Sequence, residues 1–290
     1  MEDSPIIAAV DGSEASLQAV ERAAREAMLR SQPLRIVSVP ALPPRMVHQR
    51  GMLGRPATVT DTVRQAYTDA LAEATARATA TEPGLAVTTA LLSGAPATVI
   101  AQLASPGSLL VVGSRGAGGL SAMIIGSVSR YVADHGAGPV VVVRQQSMTM
   151  HRKVVVGLRD ADQAAVLAFA FQEAALRQAG VLVLNAWHWF LPAALLPAAL
   201  RPGPNAERIS ADSGNWLTEV LAGWRDKYPQ VDVSQEVAHA SPGQALLDAS
   251  AGADLVVLGR AGSKPGELGG GAVRHAILHH GECPVAVIPG

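Results

Sequence analysis

A chain of 290 residues, 49% hydrophobic and 16% charged, is long enough for two ordinary cores and too apolar to remain disordered. Its formal net charge of -1, from 23 basic and 24 acidic residues, excludes the electrostatic excess that a nucleic acid or an anionic membrane surface attracts. The single cysteine, Cys283, excludes an intramolecular disulfide and a thiolate metal cluster and suits a reducing cytoplasm.

The acidic start, Met1-Glu2-Asp3-Ser4-Pro5, lacks the basic leader of a secretory signal, so export is not expected. Short β-branched apolar runs predict strands near 5–10, 34–39, 86–92, 109–112 and 139–143. Longer Ala-rich stretches predict helices near 14–30, 60–80, 95–104 and 127–136. The polar segment Gln145 to Met150 reads as a linker, after which strands recur near 153–158, 181–186, 233–238, 254–258 and 284–288. The most apolar segment, Phe190 to Leu200, is too short to cross a bilayer and contains Pro192 and Pro197.

The second half repeats the first. Ile6-Ile7-Ala8-Ala9-Val10 matches Val154-Val155-Val156-Gly157-Leu158, Leu109-Leu110-Val111-Val112-Gly113 matches Leu255-Val256-Val257-Leu258-Gly259, and Pro139-Val140-Val141-Val142 matches Pro284-Val285-Ala286-Val287. Three matches in one order, at nearly constant separation, mean a duplicated domain, with copies expected at 1–147 and 148–290. Strands alternating with helices predict βαβ units, and right-handed crossovers then give two tandem doubly wound five-stranded parallel sheets.

The sharpest chemical signal follows the fourth strand: Gly113-Ser114-Arg115-Gly116, nine further residues, then Gly126-Ser127 opening a helix. Glycines let main-chain N–H groups approach phosphate oxygens where a Cβ would obstruct them. A helix start adds free N–H groups and a positive dipole end, and the Ser127 hydroxyl adds a donor or a magnesium contact. The competing reading is an ordinary turn in a chain of 28 glycines, which the placement between strand and helix disfavours. Asp11 ends the first strand beside the topological switch point, where a carboxylate can accept from ribose hydroxyls; the alternative is that it caps the next helix or braces the Asp11-Gly12-Ser13 turn.

These residues, with Gly94-Ala95-Pro96 and Gly126-Ser127-Val128-Ser129, give the chain a resemblance to the tandem universal stress proteins of the ATP-binding type, over nearly all of both halves. The resemblance implies a Rossmann-like fold of the adenine nucleotide alpha hydrolase kind, strand order 3-2-1-4-5. It implies a triphosphate held by Gly113, Arg115, Gly116, Gly126, Ser127, Val128 and Ser129, ribose at Asp11 with Gly12 and Ser13, and adenine at the main chain of Val39. ATP with magnesium is the implied ligand, and a cytoplasmic regulator of stress response and growth arrest the implied role. That regulator acts on an unknown protein partner, with the last strands pairing within the chain or in a homodimer.

The second copy departs from the pattern. Arg159 stands where Asp11 stands, only eight residues separate Gly262 from Gly271, Pro265 removes an N–H inside the loop, and Ala272 replaces Ser127. Scaffolding is the expected role, with a phosphate meeting Arg159 as the alternative. An enzyme is not expected. The chain has no Walker-type Gly-Lys-Ser/Thr loop, no Gly-x-Ser-x-Gly elbow and no His-x-Gly-His or Ser-Gly-Gly loop, leaving at most slow ATP hydrolysis. His275 and His279 have metal-sharing spacing on a helix, although an exposed polar face explains them as well. Trp187, Trp189, Phe190 and Leu191 suggest a lid, an interface or core, and Arg45, His48, Arg50 and Arg55 in the 40–56 loop suggest a phosphate cover or solvated charges. Cys283 reads as a small buried apolar residue.

Overall fold

The computed structural model describes residues 5–41, 58–116, 125–144, 150–159, 163–186, 204–260 and 270–290. The chain divides into two compact units, Met1–Gln145 and Gln146–Gly290. The 42–57 loop, most of the glycine loop, the segment from Trp187 to Leu191 and the second copy's loop at Gly262 and Pro265 lie outside the described residues.

In the first unit the elements are β1 (Ile6–Val10), α1 (Glu14–Arg30), β2 (Leu34–Ser38), α2 (Thr58–Thr81), β3 (Val87–Leu91), α3 (Pro96–Leu103), β4 (Leu109–Gly113), α4 (Ser127–His135) and β5 (Val140–Val143). Every strand pairing is parallel, in the order β3-β2-β1-β4-β5, so the predicted doubly wound sheet is the one observed. β1, β4 and β5 are buried along their whole length, as unbroken Val/Ile/Leu runs require when helices cover both faces. The outermost strand, β3, carries exposed Thr88 and Thr89.

This order creates the switch point. From β1 the chain moves outward through α1 and β2 to β3, then crosses back through α3 to β4 on the other side of β1. Right-handed crossovers in opposite directions put the helix pairs α1–α2 and α3–α4 on opposite faces and open a crevice at the C-terminal ends of β1 and β4. α1 starts sharply because the Ser13 hydroxyl accepts from the Ser16 amide at 3.3 Å, a cap that stabilises by roughly 1 kcal/mol. Arg77 on α2 ties the helices together through Glu14 at 2.9 Å and Glu21 at 2.8 Å.

The second unit repeats the plan: β6 (Lys153–Gly157), α5 (Ala164–Arg177), β7 (Gly180–Ala186), α6 (Pro204–Lys227), β8 (Val233–Ala238), α7 (Pro242–Ser250), β9 (Leu255–Gly259), α8 (Gly270–His280) and β10 (Val285–Ile288). Its parallel order is β8-β7-β6-β9-β10, the equivalent of the first. Fully buried Phe171 on α5 stacks on Trp224 of α6 and packs on Tyr228 just after that helix, at centroid distances of 5.5 Å. Cys283 is buried just before β10, with its Sγ 3.5 Å from the Pro284 carbonyl oxygen, as a small apolar residue would be.

Both copies bury an acidic side chain late in their first helix. Glu26, 1% exposed, accepts from Arg22 Nε at 2.7 Å and from Arg30, and Glu173 pairs in the same way with Arg177. Removing the acid strands buried guanidinium groups, which costs about 3 kcal/mol or more. Glu26→Ala is therefore expected to lower the thermal midpoint of the full chain by several degrees in calorimetry. An unchanged midpoint contradicts a stabilising role for this pair.

Candidate functional site

The crevice begins where β1 ends. Gly12 has φ +83°, a left-handed conformation that turns the chain into α1 without strain, and its Cα faces Ala70 of α2, whose Cβ lies 3.3 Å from where a Cβ would stand. Asp11 Oδ1 accepts from the Ser13 amide at 3.1 Å and from the Ser13 hydroxyl at 2.6 Å. The turn-bracing role considered for Asp11 is thus occupied by one carboxylate oxygen. The other, Oδ2, lies 2.4 Å from where a Cβ on Gly116 would stand. Only glycine at 116 leaves the carboxylate its place.

Three segment ends meet at Ser114. Its amide donates to the Val143 carbonyl at the end of β5, and its own carbonyl accepts from the Gly126 amide, each at 2.8 Å. A Cβ on Gly126 would stand 3.7 Å from the Gly116 nitrogen and 3.6 Å from the Arg115 Cα. The start of α4 is thereby held against the loop leaving β4, and that loop against Asp11. Gly116 thus lies close to both the Asp11 carboxylate and Gly126.

Three details correct the sequence reading. The Gly126 amide, expected to be free for an anion, is bonded to Ser114. The Ser129 hydroxyl is buried and donates to the Gly113 carbonyl at 2.6 Å, so only its main chain faces the first turn. Gly113 serves packing: a Cβ there would stand 2.5 Å from the Ala15 carbonyl oxygen, so the close approach of α1 to β4 depends on it. The donors of α4 that precede its first internal bond, Arg130 N–H to the Gly126 carbonyl, are the amides of Ser127, Val128 and Ser129, and the Ser127 side chain is exposed beside them.

On the far side of Asp11, Val39 follows β2 with its side chain buried. Sequence inspection missed Ser38, fully buried, whose hydroxyl donates to the Val10 carbonyl at 2.7 Å and fixes the end of β2 against the end of β1. The repeat carried the signal, because Asn185 does the same in the second unit, its Nδ2 donating to the Leu158 carbonyl at 2.9 Å. Tyr67 on α2 was also missed; its phenolic oxygen accepts from the Ala41 amide at 3.2 Å.

Arg115 leaves β4 and Arg144 leaves β5; burial first, and then the positive charge of Arg115, pull the Arg144 pKa below the ordinary arginine range.

The second unit has the same frame and a different lining. The Arg260 amide donates to the Ile288 carbonyl at 2.7 Å, the counterpart of Ser114 and Val143. At the position of Asp11, the Arg159 amide donates to Gln163 Oε1 at 2.7 Å, and Gln163 Nε2 lies 2.4 Å from where a Cβ on Gly259 would stand. The Gln163 amide therefore lies across the end of β9. A groove of about 420 Å³ lies elsewhere in this unit, beside α7, lined by Lys153, Leu182, Leu184, Glu236, Ala238 and Asp248 among others. The His275 and His279 ring centroids lie 4.0 Å apart with the planes tilted by 39°, and among the described residues no three His, Cys, Asp or Glu side chains gather into a metal site. Among the same residues no helix is long and apolar enough to cross a membrane.

Two copies of one doubly wound, five-stranded parallel domain define a class of tandem α/β proteins. The match to the universal stress protein family model, over residues 4–144 and 150–289, shows that the chain belongs to that family. It is 30% identical over 302 residues to a universal stress protein of Mycobacterium tuberculosis, covering 97% of this chain and 94% of that one. A relative in Mycolicibacterium smegmatis is 31% identical over 298 residues, covering 98% and 96%. The fold is shared with a universal stress protein from Archaeoglobus fulgidus at a TM-score of 0.69 and 15% identity, across 100% of this chain and 99% of that one.

The glycine geometry makes a paired prediction. Gly113→Ala forces main chain apart between α1 and β4 and is expected to destabilise by about 1–3 kcal/mol. Gly223→Ala, in α6 with nothing within 4 Å of the new Cβ, is expected to stabilise by roughly 0.5–1 kcal/mol. Urea unfolding of the full chain measures both, and equal effects would contradict the packing role of Gly113.

Proposed function

We propose that the first unit binds ATP with magnesium and that occupancy, rather than turnover, is its output. The reading rests on one observation: the Asp11 carboxylate, Gly116 and the start of α4 at Gly126 lie side by side at the ends of β1 and β4, with Asp11 Oδ2 where a Cβ on Gly116 would collide with it. Asp11 Oδ2 faces Gly116, at the side of the turn where a ribose hydroxyl would donate to the carboxylate. The amides of Ser127, Val128 and Ser129 suit phosphate oxygens, the exposed Ser127 hydroxyl suits magnesium, and the Val39 main chain suits the adenine edge. Bound magnesium would offset phosphate charge and leave the residues to position the nucleotide.

Slow turnover follows from what surrounds the phosphates. Asp11 Oδ1 is engaged by the Ser13 amide and hydroxyl, which makes it a brace of the turn rather than a base aimed at water. A protein partner in the stress response or growth arrest then reads the occupied state in the cytoplasm. The second unit acts as a scaffold: Arg159 replaces the ribose acceptor, and Gln163 covers the strand end where a ligand would approach.

Calorimetric titration of the full chain with magnesium ATP is expected to give one site per chain. Asp11→Ala and Gly116→Ala are each expected to weaken it about tenfold or more, the second because its Cβ displaces the carboxylate. Turnover is expected below about one per minute, well under the common enzyme range. Absence of binding at millimolar ATP would overturn the proposal, and steady faster hydrolysis would replace it with an enzymatic one.

A further inference from the structure

The groove of about 420 Å³ in the second unit lies where the two copies differ in side-chain volume. Its floor is Leu182 and Leu184 of β7, which by strand alternation share one face of the sheet with Lys153 of β6 and with Glu236 of β8. Its wall is α7, lined by Ala245, Asp248 and Ala249. The strand registers place Leu182 where the first unit has Arg35, and Glu236 where it has Ala90. Pro96 and Pro242 open equivalent helices, so Ala245, Asp248 and Ala249 take the positions of Val99, Gln102 and Leu103. Two apolar side chains of the wall have become alanine, and the floor has exchanged a long guanidinium side chain for a leucine.

Charge changes at the same positions. Arg35, Ala90 and Gln102 give the first copy one cation and no acid there, whereas Leu182, Glu236 and Asp248 give the second two acids and no cation. Glu236 stands on the edge strand and Asp248 on the helix across the groove, where Asp248 Oδ1 accepts from Gln244 Nε2 at 2.7 Å. Lys153 lines the groove toward the strand starts, level with Gly180, whereas Glu236 is level with Leu184. At roughly 3.3 Å per residue those levels are about 13 Å apart. Among the described residues neither Lys153 nor Glu236 has a side-chain ion pair. We infer that this groove binds a small aliphatic zwitterion, a short carbon chain with an ammonium or guanidinium at one end and a carboxylate at the other. The cationic head lies between Glu236 and Asp248, the methylenes lie on Leu182 and Leu184, and the tail points to Lys153. The groove volume falls within the range of small-molecule sites, which starts at about 300 Å³. The site is independent of the nucleotide reading of the first unit.

The test titrates the full chain in a calorimeter with ε-aminocaproate and γ-guanidinobutyrate, each of which is expected to saturate one site per chain. Caproate lacks the head and hexylamine the tail, and each is expected to bind about fivefold weaker or more than ε-aminocaproate. Glu236→Gln is expected to weaken ε-aminocaproate about fivefold and leave caproate within about twofold; Lys153→Gln is expected to weaken it about threefold and leave hexylamine within about twofold. Leu182→Arg restores the floor residue of the first copy and is expected to abolish binding, because the new side chain fills the groove with its own stem and cation. Glu236 and Lys153 are exposed, so their glutamine variants carry the test should Leu182→Arg fail to fold. Absence of saturable binding of both zwitterions at about 10 mM, or an affinity for ε-aminocaproate unchanged by Leu182→Arg or by both glutamine substitutions, overturns the site. Equal affinities for ε-aminocaproate, caproate and hexylamine overturn its assignment to a zwitterion.

Discussion

The first unit depends on where one carboxylate sits. Asp11 is fixed on one side by two donors from Ser13 and lies on the other against the bare Cα of Gly116. The Ser13 hydroxyl that holds Asp11 is also the N-cap of α1, so the end of β1, the start of α1 and the loop after β4 share one small polar knot. Its Oγ also lies 3.5 Å from the Arg115 carbonyl oxygen, at the outer limit of a hydrogen bond. A side chain at 116 would break the knot from the loop side, and loss of the Ser13 hydroxyl from the helix side.

The second unit shows what the frame is worth once the knot is removed. Its sheet order, the bond from Arg260 to Ile288 and the brace from Asn185 to Leu158 all persist. Those features hold strands together, and burial of the Val/Ile/Leu runs enforces them whatever the crevice contains. The crevice is what changed: a cation replaces the acid, and a glutamine amide fills the space beside the strand end. Scaffold and site are separable on this fold because the site uses only the last residue of each strand and the first turn of each helix.

The buried Glu26 and Glu173 pairs belong to the frame and have no share in the site. Each places charge where an apolar side chain would also fit, and each is satisfied within its own helix by an arginine one turn later. Their recurrence at equivalent helical positions strengthens the evidence for duplication, because a buried ion pair is an uncommon solution to the same packing problem.

Much was legible before any coordinates. Strand and helix positions followed from apolar periodicity, the duplication from three matched segments, and the sheet order from the resemblance those segments carry, because short-range patterns and chain connectivity determine them. The grouping of Asp11, Gly116 and Gly126 was legible too, since a doubly wound order forces the ends of β1 and β4 together. What each group does there was decided only by tertiary structure. The Gly126 amide turned out to be bonded to Ser114, the Ser129 hydroxyl to Gly113, and Gly113 to be a packing contact with α1. A sequence names which donors and charges exist; which partners they take depends on distances of a few ångströms between segments far apart in the chain, and only the folded packing sets those.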